Sequence, residues 1–172
     1  MTDRSPLAFA NHDHDRCRTD ALTEARRLCS TRSVRLTPVR ERVLELLWQA
    51  HRPLRAYDIL QTLSAEGFGS QPPVVYRALD FLIEQGFAHK IERLNAYLAC
   101  DCPDDDHGAK FLICTGCERV AEFDDQAIAS ALSDVAAGSG FMIGRATLEV
   151  EGLCPGCAAS GNCAPSKGNA DG

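Results

Sequence analysis

Two Cys-x-x-Cys turns, Cys114/Cys117 and Cys154/Cys157, constrain this 172-residue chain more than any other feature. Each turn lets both of its sulfurs reach one ion at ~2.3 Å, and two such turns make a closed tetrahedral zinc cage. A fold compatible with that chemistry must bring two turns separated by residues 118–153 to a single point. Such a cage is a structural element rather than a reactive one, because it leaves no open coordination position.

The compartment follows from the same residues. Nine cysteines would suit a disulfide scaffold in a secreted protein. The N-terminal stretch MTDRSPLAFANHDHDRC has no apolar core of a signal peptide. No apolar run approaches the ~18 residues of a membrane span. The expectation is therefore a cytoplasmic protein with reduced thiols and a metal as their partner, and with no membrane contact.

The net charge of −6 speaks at first against a nucleic-acid partner. Its distribution reverses that: residues 26–55 hold eight Arg against two Glu, among them Arg35 and Arg40. A local basic surface is what phosphate binding needs, whatever the whole chain carries. The alternative is an ordinary solvated helix surface.

Residues 1–18 read as a polar tail. Thr19 is placed to cap a helix through about Ser33. Thr37-Pro38 is a helix start: Thr supplies the cap oxygen and Pro at the first position forfeits no helical hydrogen bond. Ala56 to Glu66 form a third helix, stopped by Gly67. Pro72-Pro73 opens a fourth that Gly86 closes, with Val75, Leu79, Leu82 and Ile83 on its inner face and Tyr76 and Arg77 off it. Two short strands, 88–93 and 96–100, follow.

Three helices, a fourth with outward polar groups and a β-hairpin predict a winged helix-turn-helix. Its fourth helix would enter a DNA major groove. Arg77 suits a guanine edge or a phosphate, and Tyr76 a phosphate or thymine methyl. The competing reading is a plain helical domain in which both residues face water.

Past residue 100 the pattern predicts strands at 111–115 and 119–123, a helix over 124–138 and a third strand over 141–150. The whole is α+β: a winged helix over 19–100, a linker over 101–110, a small α/β unit over 111–158 carrying the four-cysteine zinc site, and tails at 1–18 and 159–172.

His89, Cys100, His107 and Glu122 form a second set of candidate ligands. If the hairpin loop is Leu94-Asn95, or the four residues 93–96, His89 faces Cys100 directly across the strands, within reach of one ion. A three-residue loop would slip the register and spoil this. Two nitrogens, one sulfur and one oxygen suit Zn(II) over Mn(II) or Fe(II). A buried Cys100 acting only as a small apolar side chain is the alternative. Asp101 and Cys102 are then the nearest substitutes. Cys17, Cys29, Cys163, His12 and His14 receive no role.

The stretches VRLTPVRERVLELL (34–47), AYDIL (56–60) and PPVVYRALDFLIEQGFAHKIE (72–92), with the CTGC and CPGC turns, resemble the ferric uptake regulator superfamily, and within it the zinc uptake regulator branch. The resemblance spans residues 20–158. It implies a homodimeric transcriptional repressor, not an enzyme, that binds pseudo-palindromic double-stranded operator DNA and takes no small-molecule substrate. It implies two Zn(2+) per subunit: a structural ion on Cys114, Cys117, Cys154 and Cys157, and a regulatory ion on His89, Cys100, His107 and Glu122. Tyr76 and Arg77 match the superfamily's recognition-helix pair, and Arg35 and Arg40 are the further DNA contacts expected. One departure bears on the branch: DDDHGAKFLIC lacks the His-rich run that iron-sensing relatives carry before the first CxxC. An iron or peroxide sensor of the same superfamily and a zinc-containing thiol redox protein are the alternatives. A zinc deaminase is not matched, because Glu92 stands three residues after His89 and neither CxxC follows a proline.

Overall fold

The computed structural model describes residues 14–50, 52–68, 71–100, 103, 109–144 and 146–160. The side chains of residues 14–18 and 50 lie outside that description, and so do His12, Cys102, His107 and Cys163. The chain divides into two units, one spanning residues 11–105 and the other residues 106–172 with 1–10.

The first unit is built from four helices and a hairpin: α1 (His14–Thr31), α2 (Pro38–Ala50), α3 (Ala56–Ala65), α4 (Pro72–Glu84), β1 (Ala88–Ile91) and β2 (Ala96–Ala99). The helix α1 starts earlier than Thr19, so Thr19 is an interior residue whose carbonyl accepts from the Thr23 hydroxyl at 2.9 Å. The start of α2 is as expected: the Arg40 amide donates to the Thr37 side chain at 3.4 Å and the Glu41 amide to the Thr37 carbonyl at 2.9 Å. Val43, Leu44 and Leu47 of α2 meet Ile59 and Leu63 of α3 and Val75, Leu79 and Leu82 of α4 in one core. Each of these side chains, fully buried, contributes ~1.5–3 kcal/mol relative to exposure.

The end of α4 decides where the hairpin begins. Gly86 takes a left-handed φ of 75° and donates to the Ile83 carbonyl at 3.0 Å, while the Phe87 amide reaches back to Leu82 at 2.8 Å. These are the two bonds of a Schellman cap, which turns the chain sharply out of the helix. Phe87 is buried beneath it, and β1 starts at the next residue. A lone bridge between Leu54 and Tyr97 adds a third extended segment beside the hairpin.

The second unit contains β3 (Ala109–Cys114), β4 (Val120–Glu122), α5 (Gln126–Gly138), β5 (Thr147–Gly152) and α6 (Pro155–Ser160). Its sheet has the order β4-β3-β5, with β4 antiparallel and β5 parallel to β3. Asp125 caps α5 through hydrogen bonds from the Ala127 and Ile128 amides at 2.8 and 3.3 Å. Two expectations need correction. The last strand is Thr147–Gly152, not 141–150; Phe141, Met142 and Ile143 precede it, all exposed. The second CxxC opens α6 at Pro155, and the helix runs on to Ser160, so residues 159 and 160 are helical rather than tail.

One substitution tests the α4 cap. A Cβ at Gly86 would meet the Pro103 carbonyl oxygen at 3.3 Å in addition to the left-handed backbone. Gly86→Ala is expected to destabilise the protein by about 1–2 kcal/mol, read as a lower urea midpoint at unchanged slope.

Candidate metal centres and nucleic-acid interface

Parallel pairing of β3 with β5 is what assembles the cysteine cage. The register sets Cys114 beside Gly152, so both strands end on the same edge of the sheet. The first CxxC turn leaves β3 there and the second leaves β5 two residues later. The Thr115 amide donates to the Gly152 carbonyl at 2.8 Å, locking one turn to the other strand. Within the first turn, the Glu118 amide donates to the Cys114 carbonyl, and the Cys114 amide to that of Arg119, both at 2.9 Å.

The donor set fits zinc. One sulfur from each of Cys114, Cys117, Cys154 and Cys157 lies within 4.8 Å of the others. Zn–S bonds of ~2.3 Å in a tetrahedron place sulfurs about 3.8 Å apart. Cys117 and Cys154 stand at 3.8 Å, a separation that also rules out a disulfide between them. Burial pushes the Cys114 thiol up, but amide hydrogen bonds from Cys154, Cys117 and Gly116 outweigh it and hold the group at about 6. The Cys154 thiol is lowered as well, chiefly by the Cys157 amide. Amides aimed at sulfur favour the thiolates that a metal requires.

The hairpin corrects one expectation and keeps its consequence. His89 pairs with Leu98, not Cys100, because the loop is the four residues Glu92–Asn95 with Ile91 opposite Ala96. Asn95 takes the left-handed φ of 46° that this loop needs. Cys100 lies beyond β2, its amide donating to the Phe87 carbonyl at 3.0 Å. The slip is two residues, an even number, so the faces are preserved. His89 and Cys100 are diagonal neighbours on one face, both buried, with ligand atoms within 4.8 Å. Of the other expected ligands, Glu122 ends β4 opposite Phe111 in the second unit, half-buried; His107 is outside the described residues.

On α4, Tyr76 and Arg77 are exposed, as expected, while Val75, Ala78 and Leu79 are buried. The arginines of 26–55 are less available than their number suggests. Arg26 pairs with Glu41, Arg27 with Glu24 at 2.8 Å, and Arg42 with Glu66 and Glu45 at 2.6 and 2.8 Å. Hydrogen bonding to Glu66 and Glu45 raises the Arg42 pKa further, and hydrogen bonding to Arg42 lowers that of Glu66. Arg40 lies over the Phe81 ring, 3.7 Å from its centroid, and donates to the Arg35 carbonyl at 2.6 Å. Arg32 spans the Gln85 and Pro103 carbonyls at 2.5 and 3.3 Å. Arg35, Arg52, Arg55 and Arg77 remain exposed, and their side chains make no hydrogen bond or ion pair among the described residues.

Arg119 carries no role expected from the sequence, yet it lies on the cage. Its Nε donates to the Cys117 sulfur at 3.5 Å and its Nη2 to the Cys154 sulfur at 3.7 Å. Those bonds, Cys117 first, raise the guanidinium's pKa above its ordinary value. The available signal was a cation two residues past a cage cysteine.

A winged helical unit followed by a small sheet with a four-cysteine metal centre defines a metal-dependent member of the winged-helix class. The model of the ferric uptake regulator family matches residues 31–151, and the chain belongs to that family. It is 39% identical over 139 residues to the zinc uptake regulation protein of Escherichia coli strain K12, covering 80% of this chain and 81% of that protein. Among solved structures it resembles a zinc uptake regulator complexed with zinc and DNA (TM-score 0.80, 37% identity, 85% of this chain and 98% of the other). It also resembles holo XcZur (TM-score 0.74, 43% identity, 80% and 96%).

Removing one sulfur tests the cage. Structural zinc supplies ~10–16 kcal/mol of apparent binding free energy. Cys114→Ser is expected to lose the chelator-resistant ion and to lower the thermal midpoint, measured by metal analysis after dialysis and by calorimetry.

Proposed function

We propose that this chain is a zinc-responsive transcriptional repressor that binds operator DNA as a zinc-loaded homodimer and lowers expression of zinc-uptake genes. The helices and hairpin up to residue 100 form its DNA-binding part, and the sheet from Ala109 through α6 its dimerisation part, joined by a linker; it works in the cytoplasm and is not an enzyme. The similarity to a zinc uptake regulator complexed with zinc and DNA, and to the zinc uptake regulation protein of Escherichia coli, supports this reading. The observation that carries it lies in the first unit. The helix α4 turns Tyr76 and Arg77 outward and passes, through one capped turn, into the hairpin that brings His89 and Cys100 together.

In this reading each subunit holds two zinc ions. The ion in the cysteine cage is permanent and keeps the second unit folded. The regulatory ion takes His89 and Cys100 from the hairpin, with His107 and Glu122 completing the set. Bound zinc fixes the hairpin's attachment and so the angle at which each α4 is offered to DNA. A dimer reads a pseudo-palindrome only when its two recognition helices match the half-site spacing, about one helical turn. A swing from 1:99 to 99:1 in favour of the competent state needs ~5.5 kcal/mol of differential zinc binding.

The dimerisation part has a surface suited to a second copy. Ile128, Leu132 and Val135 of α5 and Leu148 and Val150 of β5 are exposed apolar side chains in a small unit. Exposed apolar side chains at positions 128, 132 and 135 share one face of α5, and those at 148 and 150 one face of β5, and apolar faces left open in this way suit an interaction surface.

The deciding experiment is binding to the protein's own promoter fragment, followed by fluorescence anisotropy across buffered free zinc, with mass and metal measured per complex. Two ions per subunit and two subunits per site are expected, with iron(II) and manganese(II) failing to substitute. Cys100→Ser should shift the half-saturating zinc concentration upward by at least tenfold, about 1.4 kcal/mol of coupling. An unshifted curve from a folded variant removes Cys100 from the sensing site. Arg77→Ala should cost about 1–3 kcal/mol of operator affinity with zinc content unchanged.

A further inference from the structure

A four-cysteine zinc centre is usually regarded as inert, yet the four sulfurs here are unequally protected. Cys114 and Cys154 are buried, Cys157 is half-buried and Cys117 is exposed. Zinc with four thiolates carries two net negative charges and four nucleophilic sulfurs, so the exposed one is where an electrophile or oxidant would strike first.

Arg119 sits where that attack would come. The left-handed turn at Glu118, φ 56°, swings the chain back over the cage. The Arg119 carbonyl accepts from the Cys114 amide at 2.9 Å, so its backbone is part of the first turn. Its guanidinium then reaches across both turns: Nε to Cys117 at 3.5 Å, Nη2 to Cys154 at 3.7 Å. On the far side it lies against Gly156, where an added Cβ would be 4.0 Å from Nη2. The planar fork suits two sulfurs on different turns in a way an ammonium does not.

We propose that Arg119 is the guard of the cysteine cage, a positioning residue that shields and partly neutralises Cys117 and so slows its reaction with electrophiles. This rests on reading the four cysteines as a zinc cage. Hydrogen bonds to a metal-bound thiolate draw electron density from the sulfur, and partners in this outer shell tune a metal site as strongly as its ligands. The guanidinium also cancels one of the two excess negative charges. With N-ethylmaleimide as the probe, the Cys117 thiolate adds to the alkene carbon, the resulting carbanion takes a proton from water, and the Zn–S bond breaks.

The test uses the full-length zinc-loaded protein, counted for metal beforehand. Zinc release is followed with a chromogenic chelator during exposure to N-ethylmaleimide, and labelled cysteines are located by mass spectrometry at early times. Arg119→Ala is expected to release zinc about tenfold faster, with Cys117 labelled ahead of Cys157. Arg119→Lys, which keeps charge but loses the fork, should fall between. Equal release rates in wild type and Arg119→Ala overturn the proposal, as does slower release. Acceleration of all four sulfurs in parallel also overturns it, because that is the signature of a loosened fold. A wild-type protein that arrives with no chelator-resistant zinc refutes the cage itself, a separate and distinguishable failure.

Discussion

The second unit depends on one electrostatic requirement: four sulfurs held this close need a cation among them. Its own apolar interior is thin, with Phe111, Ile113, Val120 and Ala121 the main buried side chains of the sheet. A core this small in a unit of this size supplies few kcal/mol on its own, so a metal or association adds a large share of its stability. The parallel β3–β5 pair and the cage are interdependent. Parallel neighbours have no hairpin to hold them in register, so the two turns at their common end do that work. The amide hydrogen bonds onto Cys114 and Cys154 lower both thiols' pKa and so favour the thiolates that an ion requires.

The first unit follows a different logic. Its core gathers side chains from all four helices and the hairpin, and the His89–Cys100 pair is a small addition at the edge. His89 and Cys100 are buried in a hairpin of four-residue strands. The short Schellman turn from α4 and the Arg32 bridge from the end of α1 to Gln85 and Pro103 bind that hairpin to the end of α4. A change at His89 and Cys100 is therefore one tightly capped turn away from the helix that carries Tyr76 and Arg77.

What is legible in the sequence is local. Thr37-Pro38 and Gly86 announce helix ends because their chemistry acts within one turn, and both behave as expected. The hairpin register is not local: a four-residue loop at 92–95 and one at 93–96 use nearly the same residues. The difference is two residues, so the pair His89–Cys100 survives with a diagonal in place of a direct contact. Residues 141–143 mislead because apolar character suggests burial within the chain, yet Met142 is 91% exposed. Apolar residues on an open surface look, in one sequence, like core. The convergence of the four cysteines is legible, since two CxxC turns ask for one common point, while the parallel β3–β5 pairing that brings them there is not. Arg119 is not, because its value depends on which sulfur the fold leaves exposed.

The arginine pairs of the first unit alter how its charge will act. Arg26, Arg27 and Arg42 are clipped to carboxylates, and Arg32 and Arg40 to carbonyls or a ring. On a nucleic-acid surface such groups displace few condensed counterions, because their charge is already balanced or turned inward. In the proposed complex with DNA, the ionic-strength dependence would draw, among the described arginines of residues 26–55 and α4, mainly on the open Arg35, Arg52, Arg55 and Arg77. A crowded basic segment thus adds less electrolyte sensitivity than its count suggests, and in the proposed complex more of the discrimination would rest on the fit of α4 to the base edges.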